Sequence, residues 1–141
     1  INYDYMTYES EDGKIDGVSV AHKTGQNPEA VFKTLVAVGH SKEHYVFCIP
    51  VEYELDLKKA AKASNEKNID MLPLRDLTKT TGYIRGGCSP IGMKKQFKTF
   101  IDESATLQDK IFVSAGAIGM QIILRPNDLI QTIDATYADI I

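Results

Sequence analysis

A lysine inside an almost continuously apolar stretch is the first residue of this sequence that could do chemistry. Residues 31–38 read VFKTLVAV, and Lys33 is the one charge among them. The pattern predicts a strand buried on both faces, with Lys33 on the same face as Val31 and Leu35. An ammonium group there must find an acceptor, reach water or lose its proton. Two interpretations stay open: a lysine that reaches solvent, or a charge in a pocket that orients a carbonyl, carboxylate or phosphate.

A glycine-rich segment could supply bare backbone to the same chemistry. Residues 81–92 read TGYIRGGCSPIG and hold four of the ten glycines of the chain. Glycine tolerates positive φ and lets another molecule approach the backbone closely. Glycine and proline mark turns more often than sites, so a turn between two strands is the alternative.

Two polar residues stand at the ends of apolar strands. Ser114 precedes the turn Ala115-Gly116, where its hydroxyl either satisfies the turn or faces a ligand. Gln121 is the polar residue of MQIIL, residues 120–124. It fits either the surface of an edge strand or a pocket wall.

Several common signatures are missing from the sequence. The phosphate loops GxGxxG and GxxxxGK[ST] and the nucleophile elbow GxSxG do not occur. The three histidines have no compact ligand spacing, and the two cysteines form no CxxC pair. Cys88 has only Arg85 nearby in sequence as a positive charge, which argues against a catalytic thiol. We therefore predict neither a metal nor another cofactor.

Composition indicates one ordinary globular domain. The chain has 141 residues and a net charge of −3, whereas duplex-DNA binders are usually basic. No apolar run approaches the roughly 20 residues that span a bilayer. With two cysteines and no secretory leader, we expect a cytoplasmic protein, and a monomer is plausible at this size. Two lysine clusters are typical of solvated faces but could contact RNA phosphates: Lys58, Lys59 and Lys62, and Lys94, Lys95 and Lys98.

The periodicity predicts the elements that must position these residues. The predicted strands are 1–8, 31–38, 44–51, 69–72, 97–101, 111–114, 120–124 and 137–141. The predicted helices are 15–24, 56–64, 73–78 and 127–133. Asp56 caps the second helix, with Leu57, Ala60 and Ala61 on its inner face. Strands outnumber helices and several neighbours read as hairpins, which predicts an α+β or mixed α/β fold around one sheet-dominated core.

Taken together, these pieces resemble the YbaK/EbsC family of aminoacyl-tRNA deacylases, whose superfamily includes the editing domain of bacterial prolyl-tRNA synthetases. The resemblance is ordered and runs from 7–9 (TYE) to 138–140 (ADI). Its main parts are 31–35 (VFKTL), 55–62 (LDLKKAAK), 81–95 (TGYIRGGCSPIGMKK) and 113–116 (VSAG). Each piece alone is weak, but four pieces in order at compatible spacing are specific.

The resemblance implies a single domain over 1–141 with a partly barrel-like mixed sheet and flanking helices. It implies that Lys33 is the catalytic residue, which positions the aminoacyl ester and the terminal adenosine. The other positions that match the family pocket are Tyr8, Thr34, Tyr83, Gly86, Gly87, Ser114, Gly116 and Gln121. Family members carry a helix ahead of the first strand, so we expect an N-terminal segment to be absent from this sequence.

The function that the resemblance implies is trans-editing of mischarged tRNA, above all cysteine attached to proline tRNA. In cysteine-specific members the substrate thiol is thought to attack its own ester, which needs no protein nucleophile. We expect Lys33 to orient the substrate and backbone N–H groups around Gly86 and Gly87 to stabilise the carbonyl oxygen. The acceptor end of aminoacyl-tRNA is the expected partner, and prolyl-tRNA synthetase is a second.

Three departures from the family pattern bear on amino-acid preference. Gln121 stands where some members carry an aspartate, Ala115 replaces a glycine, and Cys88 replaces an aliphatic residue. The alternative function is therefore an inactive module of the same fold that binds tRNA or a synthetase. Lys33 and the glycine pair favour the enzyme. A redox protein using Cys88 has little support.

Overall fold

The computed structural model describes residues 2–14 and 16–141, and eight strands and four α-helices lie within them. The strands are β1 Tyr3–Thr7, β2 Phe32–Gly39, β3 His44–Pro50, β4 Ile69–Met71, β5 Lys98–Asp102, β6 Ile111–Ser114, β7 Met120–Leu124 and β8 Thr136–Ala138. The helices are α1 Gly17–Thr24, α2 Leu57–Ser64, α3 Leu77–Thr81 and α4 Pro126–Ile133. The predicted elements 1–8 and 15–24 each include one residue, Ile1 or Ile15, that lies outside the described residues.

The strands form two sheets that meet where β2 begins. One sheet has the order β4-β2-β3-β5-β8, with β3, β5 and β8 parallel, and the other has the antiparallel order β1-β7-β6. A parallel bridge between Val31 and Phe112 joins them. The predicted hairpins β2–β3 and β6–β7 are confirmed. The whole is the mixed α/β single domain that the sequence predicted.

Both faces of β2 are packed, as its apolar sequence predicted. Phe32 and Val36 join a core that extends to α4, whereas Ala37 faces the opposite core beneath α2. Within the described part of the chain, no helix is long and apolar enough to cross a membrane. The fold therefore places the only charge of the 31–38 stretch at a junction of packed elements.

Helix caps explain where α1 and α2 begin and end, although α1 begins at Gly17 and not at the predicted residue 15. The Asp16 carboxylate accepts a hydrogen bond from the Ser19 N–H, and Asp56 accepts two from the first turn of α2. Left-handed residues Gly25 and Asn65 follow the two helices. One expectation about α2 is wrong.

Leu57 was expected on the inner face of α2 but is 41% exposed, whereas Ala60 and Ala61 are buried. The helical period does put all three side chains on one face. Leu57 occupies the first helical position, so the contact with the sheet is made by the following turns. The prediction failed because periodicity gives a face but not how far along the helix that face is covered.

Three other parts of the chain differ from the predicted secondary structure. The predicted helix 73–78 is a 3-10 turn, Leu74–Asp76, that runs into α3. The 3-10 turn Glu103–Leu107 was not predicted. The predicted strand 137–141 is shortened to β8, because the Ile140 N–H binds the Asp102 carboxylate and its carbonyl accepts from the Asp56 N–H. At Ile140, a hydrogen bond to the Asp102 side chain takes the place of the backbone hydrogen bonds of a β-sheet.

Candidate active site

A small pocket of about 110 Å³ lies at the start of β2, between the two sheets. It brings together six of the nine residues that the sequence predicted for a site: Tyr8, Lys33, Thr34, Gly86, Ser114 and Gln121. Its apolar walls are Val20, Val31, Phe32 and Val51. Sequence reasoning missed these walls because their apolar side chains are indistinguishable from ordinary core residues.

Lys33 is half-buried in this pocket and has no carboxylate partner there. It lies opposite Ile49 in the β2–β3 register, so its neighbours along the strand pair are apolar. The three ion pairs found among residues 2–14 and 16–141 do not include it. An ammonium in a partly desolvated pocket is a strong donor for an anionic or carbonyl oxygen. The geometry therefore matches the pocket interpretation of Lys33.

The glycine-rich segment connects α3 to β5, so the turns it makes lie between a helix and a strand and not, as the alternative had it, between two strands. Gly86 lines the pocket with φ +84°, a conformation that L side chains rarely adopt. The Gly87 N–H donates to the Ile84 carbonyl at 3.0 Å and so is already used by a turn. Of the two glycines, Gly86 is the one whose backbone faces the pocket.

Tyr83, Gly87 and Gly116 lie behind the pocket and do not line it. A Cβ on Gly87 would lie 3.2 Å from the Ile118 nitrogen, and one on Gly116 would lie 2.9 Å from the Tyr83 ring. Tyr83 also donates a hydrogen bond to the Ile91 carbonyl at 2.6 Å. These three residues hold the glycine-rich segment against the β6–β7 turn.

Gln121 is a buried wall of the pocket, and the edge-strand alternative is wrong because β7 lies between β1 and β6. The side chain is 5% exposed, and its Oε1 is buried with no hydrogen-bond partner among the described residues. Such an orphaned group costs about 1–3 kcal/mol of stability. Its neighbour across the strands, Ser114, already uses its Oγ to accept from the Gly116 N–H at 3.2 Å. The unpaired oxygen of Gln121 is therefore available to a ligand.

The described part of the pocket holds no activated nucleophile. Burial raises the pKa of the Cys88 thiol to about 11, so that thiol is protonated near neutral pH. None of the three histidines lines the pocket, so the Ser114 and Thr34 hydroxyls have no imidazole base there. His22 and His40 are exposed, whereas His44 is half-buried against the Phe97 ring. The pocket is lined by a cation, by a glycine and by an amide whose oxygen has no partner among the described residues.

Comparison with known proteins gives concordant results. The family model for the aminoacyl-tRNA editing domain matches residues 16–132. A protein of Enterococcus faecalis, whose name assigns it as the Cys-tRNA(Pro)/Cys-tRNA(Cys) deacylase EbsC, is 50% identical over 139 residues, 96% of this chain and 84% of that protein.

Two solved structures share the fold at low sequence identity. The hypothetical protein APE2540 superposes with a TM-score of 0.90 at 16% identity, covering 99% of this chain and 91% of that one. A protein described as a trans-editing enzyme for prolyl tRNA synthetase gives 0.87 at 20% identity, covering 98% and 85%. Likeness at this identity concerns the fold.

Proposed function

The chain belongs to the aminoacyl-tRNA editing domain family, and from this premise we propose that it deacylates mischarged tRNA, above all tRNA(Pro) carrying cysteine. The family model covers 16–132, and the relative from Enterococcus faecalis is named for this activity. The observation that carries the proposal is the pocket around Lys33, where the Lys33 side chain and Gly86 line a small cavity. An aminoacyl ester is already activated, so positioning and electrostatic stabilisation can supply most of the acceleration.

The size and lining of the pocket support a small aminoacyl group. Its volume of about 110 Å³ is small, which favours a side chain the size of cysteine over a bulky aromatic one. Val20, Phe32 and Val51 give the side chain an apolar bed. The cysteine side chain behaves as a small hydrophobe and fits such a bed.

Lys33 and Gly86 have complementary roles in the proposed mechanism. The Lys33 ammonium donates to an oxygen of the ester or of the terminal ribose and so fixes the reacting end. The Gly86 N–H faces the carbonyl oxygen, where negative charge develops. We expected N–H groups around both Gly86 and Gly87 to stabilise the carbonyl oxygen. The Gly87 N–H is already bonded to the Ile84 carbonyl, so the proposal keeps only the Gly86 N–H in this role.

The nucleophile in this mechanism comes from the substrate. The cysteine sulfur attacks its own carbonyl carbon, an S–C bond forms, and the C–O bond to the ribose breaks. The thiol proton passes to the departing ribose oxygen, and water then opens the cyclic thioester to free cysteine. The protonated Cys88 thiol and the absence of an imidazole base in the described pocket lining support this route.

Gln121 and Tyr8 complete the recognition of the aminoacyl group. The orphaned Oε1 of Gln121 is suited to accept a hydrogen bond from the substrate ammonium. Tyr8 lines the pocket where its N–H binds the Gly119 carbonyl at 2.9 Å, which anchors β1 to the β6–β7 turn. Thr34 and Ser114 are polar wall positions. Tyr83, Gly87 and Gly116 act by holding the glycine-rich segment in place.

The substrate is aminoacyl-tRNA, and we extend the proposal to its wider context. A net charge of −3 suggests modest affinity for RNA, so prolyl-tRNA synthetase is the proposed source of additional tRNA affinity. We propose a monomer that works in the cytoplasm, where its two buried, free cysteines stay reduced.

A panel of aminoacylated tRNAs tests the proposal. We expect turnover of Cys-tRNA(Pro) and little turnover of Pro-tRNA(Pro) by the purified protein. Binding to these tRNAs without turnover of any would instead favour the inactive binding module, for which the replacement of a carboxylate by Gln121 is the specific argument.

A further inference from the structure

An all-polar segment borders the pocket, and one lysine ties it to the fold. Residues 9–14 read ESEDGK and lie between β1 and α1; we call them the strap. Five of the six are exposed, so burial of apolar side chains does not hold the strap in place. Tyr8, directly before the strap, lines the pocket. Gly13 lines a wider cleft, whose lining also includes Lys33 and Gly86. The position of the strap therefore shapes the site.

The Lys23 side chain reaches back from α1 and binds the strap at three points. Its Nζ donates to the Glu9 carbonyl and the Asp12 carboxylate, both at 2.6 Å, and to the Lys14 carbonyl at 3.0 Å. These three bonds use all the donors of an ammonium group. The hydrogen bond from Lys23 accordingly lowers the pKa of Asp12. Among residues 2–14 and 16–141, every hydrogen bond that leaves the strap ends at this ammonium.

Lys23 continues the stripe of α1 that faces the pocket. Gly17 and Val20 line the pocket, and Lys23 follows at the same three-residue spacing, which places all three on one face of the helix. The helix is fixed independently of the strap, because it packs so closely that a Cβ on Gly17 would collide with the Val51 side chain. Lys23 therefore transfers the fixed position of α1 to a segment that has no apolar packing of its own.

We propose that Lys23 is a positioning residue of the deacylation, which holds the strap, and with it Tyr8, against the pocket. This inference rests on the proposed function, since it concerns an ester held opposite the strap, at Lys33 and Gly86. Without the three bonds, the strap would move while the core stayed intact, because no strap residue is among the buried core residues. A displaced wall misplaces the bound ester, and a shift of about 1 Å can cost about 10²-fold in rate.

Lys23→Met keeps the aliphatic stem and removes the three donors. We expect kcat for Cys-tRNA(Pro) to fall by about tenfold with KM within about twofold of the wild-type value, because the ester still binds but is misplaced. Tm should stay near the wild-type value, since the strap lies outside the core. A lysine with a purely structural role would lower Tm and leave kcat of the folded enzyme unchanged, and that result would overturn the proposal.

Two further variants separate the three bonds from the charge. Lys14→Met removes the same charge from the strap itself, and the Lys14 side chain takes part in no hydrogen bond or ion pair found within the described ranges. It should keep kcat within about twofold. An equal loss of kcat in Lys14→Met would assign the effect to the lost charge and overturn the proposal. Asp12→Ala removes one of the three bonds and should lower kcat by about threefold. Wild-type kcat in both Lys23→Met and Asp12→Ala would likewise overturn it.

Hydrogen exchange gives a readout that does not need turnover. The Tyr8 and Gly13 N–H groups donate to backbone carbonyls at 2.9 and 3.2 Å. Both amides should exchange faster in Lys23→Met than in the wild-type protein, whereas the Leu129 N–H in α4 should be unaffected. Unchanged exchange at Tyr8 and Gly13 would overturn the proposal. If the wild-type protein turns over no aminoacyl-tRNA, the proposed function is wrong, and the exchange rates still decide whether Lys23 holds the strap.

Discussion

Two regions of the molecule use the same residue types in opposite ways. In the pocket, Lys33 has no ion-pair partner among the described residues. At the C-terminal clasp, which comprises Lys59, Asp102 and residues 139–141, Lys59 binds the Asp139 carboxylate at 3.1 Å and the Ile141 carbonyl at 2.6 Å. The Asp139 carboxylate accordingly raises the pKa of Lys59. One lysine is paired within the fold, and the other is left for a ligand.

The buried polar groups of the two regions repeat this contrast. Asp102 is 1% exposed, and its carboxylate accepts from the Ser104 and Ile140 N–H groups, both at 3.1 Å. Gln121 is 5% exposed, yet its Oε1 has no partner in the described residues. Buried polar groups are normally satisfied, so an orphaned one that lines a pocket is a candidate ligand-binding group. Of these two groups, Asp102 is satisfied within the fold, whereas Gln121 lines the pocket.

Replacement of the two lysines should show the contrast most strongly. Lys33→Ala should lower kcat for Cys-tRNA(Pro) by about 10²–10³-fold, as loss of a transition-state donor does. Lys59→Ala should leave kcat within about twofold, because the clasp does not touch the pocket. Steady-state kinetics check both, with circular dichroism to show that each variant folds. Full activity of Lys33→Ala would remove Lys33 from the mechanism.

Replacing the two adjacent glycines one at a time should distinguish a residue that lines the pocket from a residue that supports the lining. Gly86→Ala places a methyl at a positive-φ position in the lining, so we expect about a 10²-fold loss of kcat/KM from misplacement of the ester. Gly87→Ala presses on the backbone of the β6–β7 turn, so its main effect should be a lower Tm. Thermal melts alongside kinetics measure both. If both variants fold and deacylate normally, the segment is only a turn.

Gln121→Leu should lower activity without lowering the stability of the fold. Loss of one hydrogen bond to the substrate should lower kcat/KM by about tenfold, equivalent to roughly 1.4 kcal/mol. The free energy of unfolding should stay the same or rise, because the leucine removes an orphaned oxygen. Urea unfolding measures the second quantity. A destabilised variant with normal kinetics would make Gln121 a structural residue.

Asp102→Asn should give the reverse pattern at the clasp. The asparagine turns an amide donor towards one of two backbone N–H groups, which should cost about 1–3 kcal/mol of unfolding free energy. Deacylation by the folded fraction should not change. Chemical denaturation with parallel rate measurements tests this, and a loss of kcat without loss of stability would contradict it.

Burial of the two cysteine thiols should make the stability of the fold slightly dependent on pH. Burial raises the pKa of Cys48 to about 12 and of Cys88 to about 11, from 9.0. Since the unfolded thiols ionise first, this contribution to stability is complete below about pH 9 and is lost as the pH rises towards 11 and 12. The decline of Tm above pH 9 should therefore be shallower in Cys88→Ala. Iodoacetamide treatment of the folded enzyme near neutral pH should leave its activity intact.

The sequence predicted the order of the elements well because their signals are local. Asp56 is a cap followed by a helical period, and β6 and β7 are apolar runs separated by a glycine turn. The shortening of β8 could not be predicted from local sequence, because the end of this strand depends on Asp102, which is far away in the chain. The pocket walls Val20 and Val51 were likewise not predicted. Proximity of apolar residues from separate elements is a property of the packing and leaves no local signal.

The central claim is that the protein supplies position while the substrate supplies the nucleophile. Single-turnover deacylation of Cys-tRNA(Pro) and Ser-tRNA(Pro) by the wild-type protein tests it directly, because the two substrates differ only by sulfur against oxygen and are of similar size. We expect the serine ester to react at least about tenfold more slowly at saturating enzyme, a difference of roughly 1.4 kcal/mol or more in barrier. Equal rates for the two esters would contradict the account.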